Sequence, residues 1–114
     1  MTAAPTGGRR LAVYGTLCPG RSNHHEVADI PGTWTRGVVH GHLLPEGWGA
    51  ASGYPAIELA DDAPAVPVHV LTSEALPRHW ARLDEFEGPG YRRVGCTVGT
   101  DDGPVQAEIY ELDR

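Results

Sequence analysis

One stretch, residues 76–88, predicts a well-defined helix, whereas most of the remaining sequence has the features of strands and turns. Leu76, Trp80 and Leu83 recur at the four-then-three spacing of a helix face that packs on a core. Pro77 makes the first helical turn irregular. The glycines and proline of residues 88–90 end the helix.

Glu87 continues the apolar face of this helix although it is an acid. At about 100° per residue, and if the helix is continuous from Leu76, the next eleven residues bring Glu87 back to within roughly 20° of the same, inward direction. Burial raises the pKa of a carboxylic acid, and the helix dipole disfavours a negative charge in the last turn. Glu87 is therefore placed at a cost to stability, which makes it a candidate for chemistry. The alternative is that it turns out to solvent or pairs with a nearby arginine.

The rest of the chain predicts strands separated by turns. Residues 33–44 form a long strand with Gly37 and Gly41 on one face, so the strand has two points of close approach and can bend round a barrel. Residues 23–30 are expected to form a short helix, and residues 101–104 are a hairpin turn. The other predicted strands are residues 10–14, 56–59, 66–70, 91–98 and 105–112.

This order of elements favours the α+β class. Several strands, one good helix and a closing hairpin predict a small mixed, mainly antiparallel β-barrel with flanking short helices. A chain of 114 residues is expected to form a single domain. We assign residues 10–114 to that domain and residues 1–9 to a disordered N-terminal segment.

Charge and composition exclude several kinds of partner. The net charge is −6 and the arginines form no basic stripe, so we expect no binding to nucleic acid. The apolar runs have the length of strands and the N-terminus lacks the apolar region of a signal peptide, so we expect a cytoplasmic protein without membrane association. Cys18 and Cys96 are expected to be free thiols. The sequence gives no indication of an oligomeric state.

The glycine-bracketed turn after the first strand is a second candidate site. Residues 15–22 read G-x-x-x-x-G-R-S, which is one residue away from the phosphate-binding loop pattern. We reject that interpretation because the lysine is missing, Pro19 removes an amide donor and no βαβ crossover follows. The turn remains either an ordinary loop or one whose backbone N–H groups gather around a carboxylate or carbonyl oxygen.

Two histidines offer a metal-binding alternative. His40 and His42 alternate on one strand face, and Glu46 follows four residues later. This resembles the first metal motif of the cupin barrels, in which such residues hold a metal ion. The second cupin motif has no match, because His69 lacks the expected glycines or asparagine around it. We favour histidines on a sheet surface and no metal site, and keep the cupin-like barrel as an alternative.

Short motifs follow one another along nearly the whole chain, at residues 13–17, 23–24, 53–55, 83–93 and 107–110. The most specific are Tyr-Gly-Thr-Leu after the first strand and Leu-Asp-x-x-Glu-Gly-x-x-Tyr-x-Arg across the end of the helix. Together they resemble the γ-glutamyl cyclotransferase-like family, in its short AIG2-like branch, which includes γ-glutamylamine cyclotransferases.

The resemblance implies a fold, an activity and a set of site residues. Family members are small β-barrels with flanking helices and no metal or organic cofactor, and they release an amine or amino acid from a small γ-glutamyl compound as 5-oxoproline forms. By position, Glu87 resembles the family's general acid/base. This sequence also resembles the substrate-cradling turn of the family, at Tyr14, Gly15, Thr16 and Leu17.

Two tyrosines and one strand leave alternatives open. Tyr54 and Tyr91 are candidates to wall the cavity or to hydrogen-bond the substrate, and their alternative role is packing. Residues 66–70 depart from the Val-x-Gly-Glu-x-Tyr strand of the family, which puts substrate size or strand pairing in question. The alternative function is a non-catalytic module of the same fold that binds a small amino-acid-like ligand.

Overall fold

The computed structural model describes residues 8–15, 18–21, 24–44, 56–88 and 90–112 of the chain. The strands are β1 (Arg10–Val13), β2 (Thr33–Leu44), β3 (Ala56–Leu59), β4 (Ala65–Thr72), β5 (Tyr91–Thr100) and β6 (Gly103–Leu112). Helix α1 is His25–Ala28, a 3₁₀ turn is Leu76–Arg78, and helix α2 is Trp80–Glu87.

Five strands close into a barrel in the order β2-β4-β1-β6-β5, with β5 meeting β2 again. β1 runs parallel to β6, and all other pairs are antiparallel. β3 is an additional strand that pairs with the second half of β2. The predicted mixed, mainly antiparallel barrel with short flanking helices is therefore confirmed.

The two glycines on one face of β2 lie where other strands approach it closely. A Cβ atom at Gly37 would lie 2.7 Å from the carbonyl oxygen of Gly99 in β5. A Cβ atom at Gly41 would lie 2.9 Å from the carbonyl oxygen of Glu58 in β3. Since backbone atoms cannot move aside as a flexible side chain can, these glycines permit the barrel closure and the docking of β3.

The alternation of β1 divides the core into two layers. Ala12 contributes to the barrel interior with valines of β2, β4 and β5 and with Ile109 of β6. Leu11 on the other face of β1 packs with the helical segment, in which Trp80 and Leu83 are buried. The predicted apolar face of the helix is thus the cover of one side of the barrel.

The start of the helical segment is irregular, as Pro77 predicted. A 3₁₀ turn precedes α2, and the hydroxyl of Ser73 accepts a hydrogen bond from the N–H of Ala75 at 3.0 Å. The carbonyl of Gly8 accepts a hydrogen bond from the indole N–H of Trp80 at 2.7 Å, and that of Arg9 accepts one from the N–H of Ser73 at 2.8 Å. The N-terminal segment that we assigned to residues 1–9 therefore has bonded residues at its end. Its division from a domain at residue 10 stays a prediction.

Residues 66–70, where the sequence departs from the family pattern, form regular β4. This strand pairs with β2 from residue 65 to residue 72, and its last four residues pair with β1. Val66, Val68 and Val70 belong to the barrel interior. Among the described residues no helix is long and apolar enough to cross a membrane.

Candidate active site

Glu87 is the last residue of α2 and is partly buried there. The chain leaves the helix through Gly88, whose φ of 80° and ψ of −176° suit glycine, and the N–H of Gly88 donates to the carbonyl of Asp84 at 3.1 Å. Burial raises the pKa of Glu87 from 4.5 to about 7. No basic residue lies in the last turn of α2, and among the described residues Glu87 has no ion-pair partner. It is therefore an acid that can both take and give a proton near neutral pH.

Tyr14 directly follows β1 and lies close enough to Glu87 for the charge of Glu87 to help raise its pKa. Its hydroxyl donates a hydrogen bond to the carbonyl of Tyr110 at 2.7 Å and accepts one from the N–H of Ile57 at 3.1 Å. Burial above all raises the pKa of Tyr14, and the charges of Glu87 and Glu111 add to the rise. Tyr14 thus stays neutral, connects β1 with β3 and β6, and forms part of the surroundings of Glu87.

The predicted cradle continues from Tyr14 into the residues that follow β1. The carbonyl of Gly15 accepts a hydrogen bond from the N–H of Cys18 at 3.0 Å, and the carbonyl of Cys18 accepts one from the N–H of Arg21 at 2.9 Å. The second of these bonds closes a turn over residues 18–21, and the first joins Cys18 to Gly15. Thr16, Leu17 and Tyr54, which are also predicted site residues, lie outside the described residues.

Tyr91, the first residue of β5, completes this end of the barrel. Its N–H donates to the carbonyl of Gly88 at 3.3 Å, so Tyr91 follows closely on the turn after Glu87. The side chain is partly buried against the core that α2 covers. Tyr91 also contributes to the raised pKa of Tyr14. The structure therefore brings together three predicted site residues: Tyr14, Glu87 and Tyr91.

Glu111 is a buried acid at the same end, and sequence reasoning missed it. Only 8% of the residue is exposed. One carboxylate oxygen accepts hydrogen bonds from Nε and Nη2 of Arg92 at 3.2 and 3.0 Å, and the other accepts one from the N–H of Leu59 at 3.1 Å. The N–H of Ile57 donates to Tyr14 and the N–H of Leu59 donates to Glu111, so two alternate backbone amides of β3 are bonded to side chains. The signal was available, because Glu111 is two residues after Ile109 and so lies on the interior face of β6.

The histidines of the metal-binding alternative lie on β2, away from α2. Both are exposed, and Nδ1 of His40 is 2.9 Å from the carbonyl oxygen of Ala63. Glu46, the third predicted ligand, lies outside the described residues. Within the described part of the chain, no group of three or more His, Cys, Asp or Glu side chains is arranged to hold a metal ion.

A cleft of about 680 Å³ opens where β2 and β5 diverge beyond their pairing at Val38 and Gly99. The residues that line it include Cys96, Leu59 and His40. Neither Glu87 nor the two tyrosines beside it line this cleft. It is therefore a feature separate from the candidate active site.

Comparisons with known proteins agree on one family. The family model described as gamma-glutamyl cyclotransferase, AIG2-like, matches residues 11–114. No curated protein sequence matches the chain.

Solved structures show the same fold. The chain is similar to the YkqA protein of Bacillus subtilis, with 29% identity and a TM-score of 0.71 over 92% of this chain and 36% of that one. The chain thus spans about a third of the length of that relative. An AIG2-like protein of Mus musculus has 24% identity and a TM-score of 0.68, over 91% of this chain and 76% of that one. An uncharacterized protein of Pyrococcus horikoshii has 26% identity and a TM-score of 0.63, over 90% of this chain and 76% of that one.

Proposed function

The chain belongs to the γ-glutamyl cyclotransferase, AIG2-like family, and we propose that it releases an amine or amino acid from a γ-glutamyl compound as 5-oxoproline forms. The observation that carries this proposal is the position of Glu87. A carboxylic acid without an ion-pair partner among the described residues ends a short helix, and burial raises its pKa to about 7.

The reaction requires one proton to move twice. The α-amino nitrogen of the γ-glutamyl group attacks the γ-carbonyl carbon, so a new C–N bond closes the five-membered ring. The C–N bond to the leaving amine then breaks. The attacking nitrogen loses a proton and the leaving nitrogen gains one, and a single carboxylate can carry that proton between them. An acid whose pKa is close to the working pH performs both steps well, which supports Glu87 in this role.

The turn after β1 is proposed to hold the substrate. The backbone N–H groups of Gly15, Thr16 and Leu17 would bind the substrate carboxylate or the oxyanion that develops on the γ-carbonyl. Because the attack is intramolecular, folding the substrate into the attacking conformation is much of the catalytic work. Tyr14 and Tyr91 would form the wall that enforces this conformation, with Tyr54 as a further proposed contact. These steps use no cofactor.

The test is release of 5-oxoproline from a panel of γ-glutamyl amino acids and γ-glutamyl amines. We expect the native protein to turn over at least one member, and Glu87→Gln to lose about 100-fold or more in kcat because it keeps the shape of the side chain but removes the base. Glu85→Gln is the matched control, since Glu85 is exposed on the same helix, and it should keep native activity.

Two outcomes would contradict the proposal in different ways. Equal activity of the native protein and Glu87→Gln would show that Glu87 is not the acid/base. A native protein that turns over no panel member, while panel members raise its melting temperature, would favour a non-catalytic module that binds a small amino-acid-like ligand.

A further inference from the structure

We infer that Asp84 is a positioning residue for Glu87, and that it acts through a clamp formed by Asp84, Arg93 and Tyr110. This inference rests on the proposed role of Glu87. The clamp joins α2 to β5 and β6 one helical turn before the proposed acid/base. Asp84 itself would not touch the substrate.

The clamp is a set of short polar contacts. The hydroxyl of Tyr110 donates to Oδ1 of Asp84 at 2.6 Å. Arg93 donates from Nε to Oδ1 of Asp84 at 3.0 Å and from Nη2 to Oδ2 at 3.3 Å, which is the two-pronged geometry that makes arginine–carboxylate pairs specific. Arg93 is held in turn by Glu108, which accepts from Nη1 at 2.8 Å. Its guanidinium carbon lies 4.3 Å from the ring centroid of Trp80 on the same helix as Asp84.

The position of Asp84 explains why such a clamp would control Glu87. Helix α2 has eight residues, and its buried anchors, Trp80 and Leu83, lie at its start and middle. In the last turn the apolar side chain of Phe86 is only partly buried. The side chain of Asp84 adds a restraint there through the clamp, on the residue whose carbonyl also accepts the N–H of Gly88 at the end of the helix.

The clamp also carries charges close to the last turn of α2, whereas in the native protein burial raises the pKa of Glu87. Arg93 carries a positive charge close to the end of α2, and Asp84 and Glu108 compensate it. Among the described residues, the charge of Glu87 helps to raise the pKa values of Tyr14 after β1 and of Tyr110 on β6. Tyr91 on β5 and Glu111 on β6 also help to raise the pKa of Tyr14. Removal of the Asp84 charge would leave Arg93 less compensated and would favour ionised Glu87.

The experiment measures the titration of Glu87 directly and needs no substrate. The carboxyl carbons of ¹³C-labelled glutamate are followed by NMR against pH in the native protein, in Asp84→Asn and in Glu85→Gln. The two variants remove the same charge from adjacent positions of one helix, but Glu85 makes no contact in the clamp. We expect the Glu87 midpoint to fall by about one pH unit in Asp84→Asn and to stay within about 0.3 units in Glu85→Gln.

Turnover supplies the second readout. If the native protein acts on a γ-glutamyl compound, the acid limb of kcat/KM should move to lower pH in Asp84→Asn together with the Glu87 midpoint, and kcat should fall about tenfold because the base is displaced. A native protein without turnover would refute the proposed function, whereas the titration would still test the clamp.

Two results would overturn the inference. The first is a folded Asp84→Asn variant, with native near-ultraviolet circular dichroism, whose Glu87 titration midpoint equals that of the native protein. The second applies if Asp84→Asn does not fold. Tyr110→Phe then takes its place, since it removes only the hydroxyl that donates to Asp84. It should lower the midpoint by about half a unit through better hydration of a less restrained Glu87, and an unchanged midpoint would overturn the inference.

Discussion

Replacing Glu87 by glutamine should stabilise the protein above about pH 4.5, and most at neutral and alkaline pH. The pKa of Glu87 is raised from 4.5 to about 7 because burial disfavours its charged form. One pKa unit corresponds to about 1.36 kcal/mol, so the difference amounts to about 3 kcal/mol of stability that the native protein forgoes once Glu87 is ionised. Glutamine has the same shape and no charge, and it avoids this cost.

The pH window follows from the sign of the shift. Below pH 4.5 the carboxyl group is protonated in both the folded and the unfolded chain, so its burial carries no charge penalty. Between pH 4.5 and about 7 the folded protein binds more protons than the unfolded chain, so the stability of the native protein falls as the pH rises. Above about pH 7 the full penalty is present. The gain of Glu87→Gln should therefore appear across this window and level off at about 3 kcal/mol.

Urea unfolding of the native protein and Glu87→Gln, measured side by side from about pH 4 to pH 9, is the assay. The contributions of all groups that the two proteins share cancel in the difference between their free energies of unfolding. Glu85→Gln is the control on the exposed side of the same helix, and we expect it to change stability by less than about 0.5 kcal/mol. A difference between native and Glu87→Gln that stays constant across this pH range would refute the reasoning, because it would mean that Glu87 is not buried as a charge.

Three further predictions concern the residues around the site. Gly88→Ala should lower the free energy of unfolding by about 1 to 3 kcal/mol in urea titration, because a backbone with φ 80° and ψ −176° strains any side chain although the Cβ position itself is open. Tyr14→Phe should lower it by about 1 to 3 kcal/mol in the same assay, since the carbonyl of Tyr110 and the N–H of Ile57 lose their shared partner; an unchanged midpoint would show that water replaces the hydroxyl. Cys96 should resist a thiol reagent at about pH 8 until the protein unfolds, because burial and two nearby carboxylates raise its pKa to about 12, and rapid reaction of the folded protein would contradict this.

The fold could be predicted from the sequence where local patterns set it. The length of β2 follows from its alternation, and its two close approaches follow from Gly37 and Gly41, because both signals lie within one strand. The inward direction of Glu87 follows from the periodicity of α2 itself, since Glu87 lies seven residues after Trp80 and four after Leu83. The count of eleven residues from Leu76 does not hold, because a 3₁₀ turn precedes α2. The closing hairpin is marked by its turn residues, and it forms with Thr100 opposite Gly103.

The parts that could not be predicted depend on contacts between distant segments. The hydroxyl of Tyr14 hydrogen-bonds to Ile57 and Tyr110, which belong to two other segments. These bonds depend on which strands become neighbours in the barrel. Arg93 has the sequence context of a surface residue beside Arg92, yet α2 and β6 supply its carboxylate partners, Asp84 and Glu108. No local pattern specifies such pairings, since the residues are 9 and 15 positions from Arg93 in the chain and come together only through the barrel.

The location of Glu87 at the end of α2 accounts for the polar contacts around it. An acid that must exchange a proton near neutral pH needs burial, and burial of its charge destabilises the turn that carries it. An arginine paired with Glu87 would relieve that cost, but it would also lower the pKa and remove the acid/base from its working range. Here Arg93 on β5 is paired with two other carboxylates, one of which, Asp84, lies on α2. The clamp can therefore restrain α2 while leaving Glu87 without a counter-charge among the described residues, which is the combination that the proposed reaction requires.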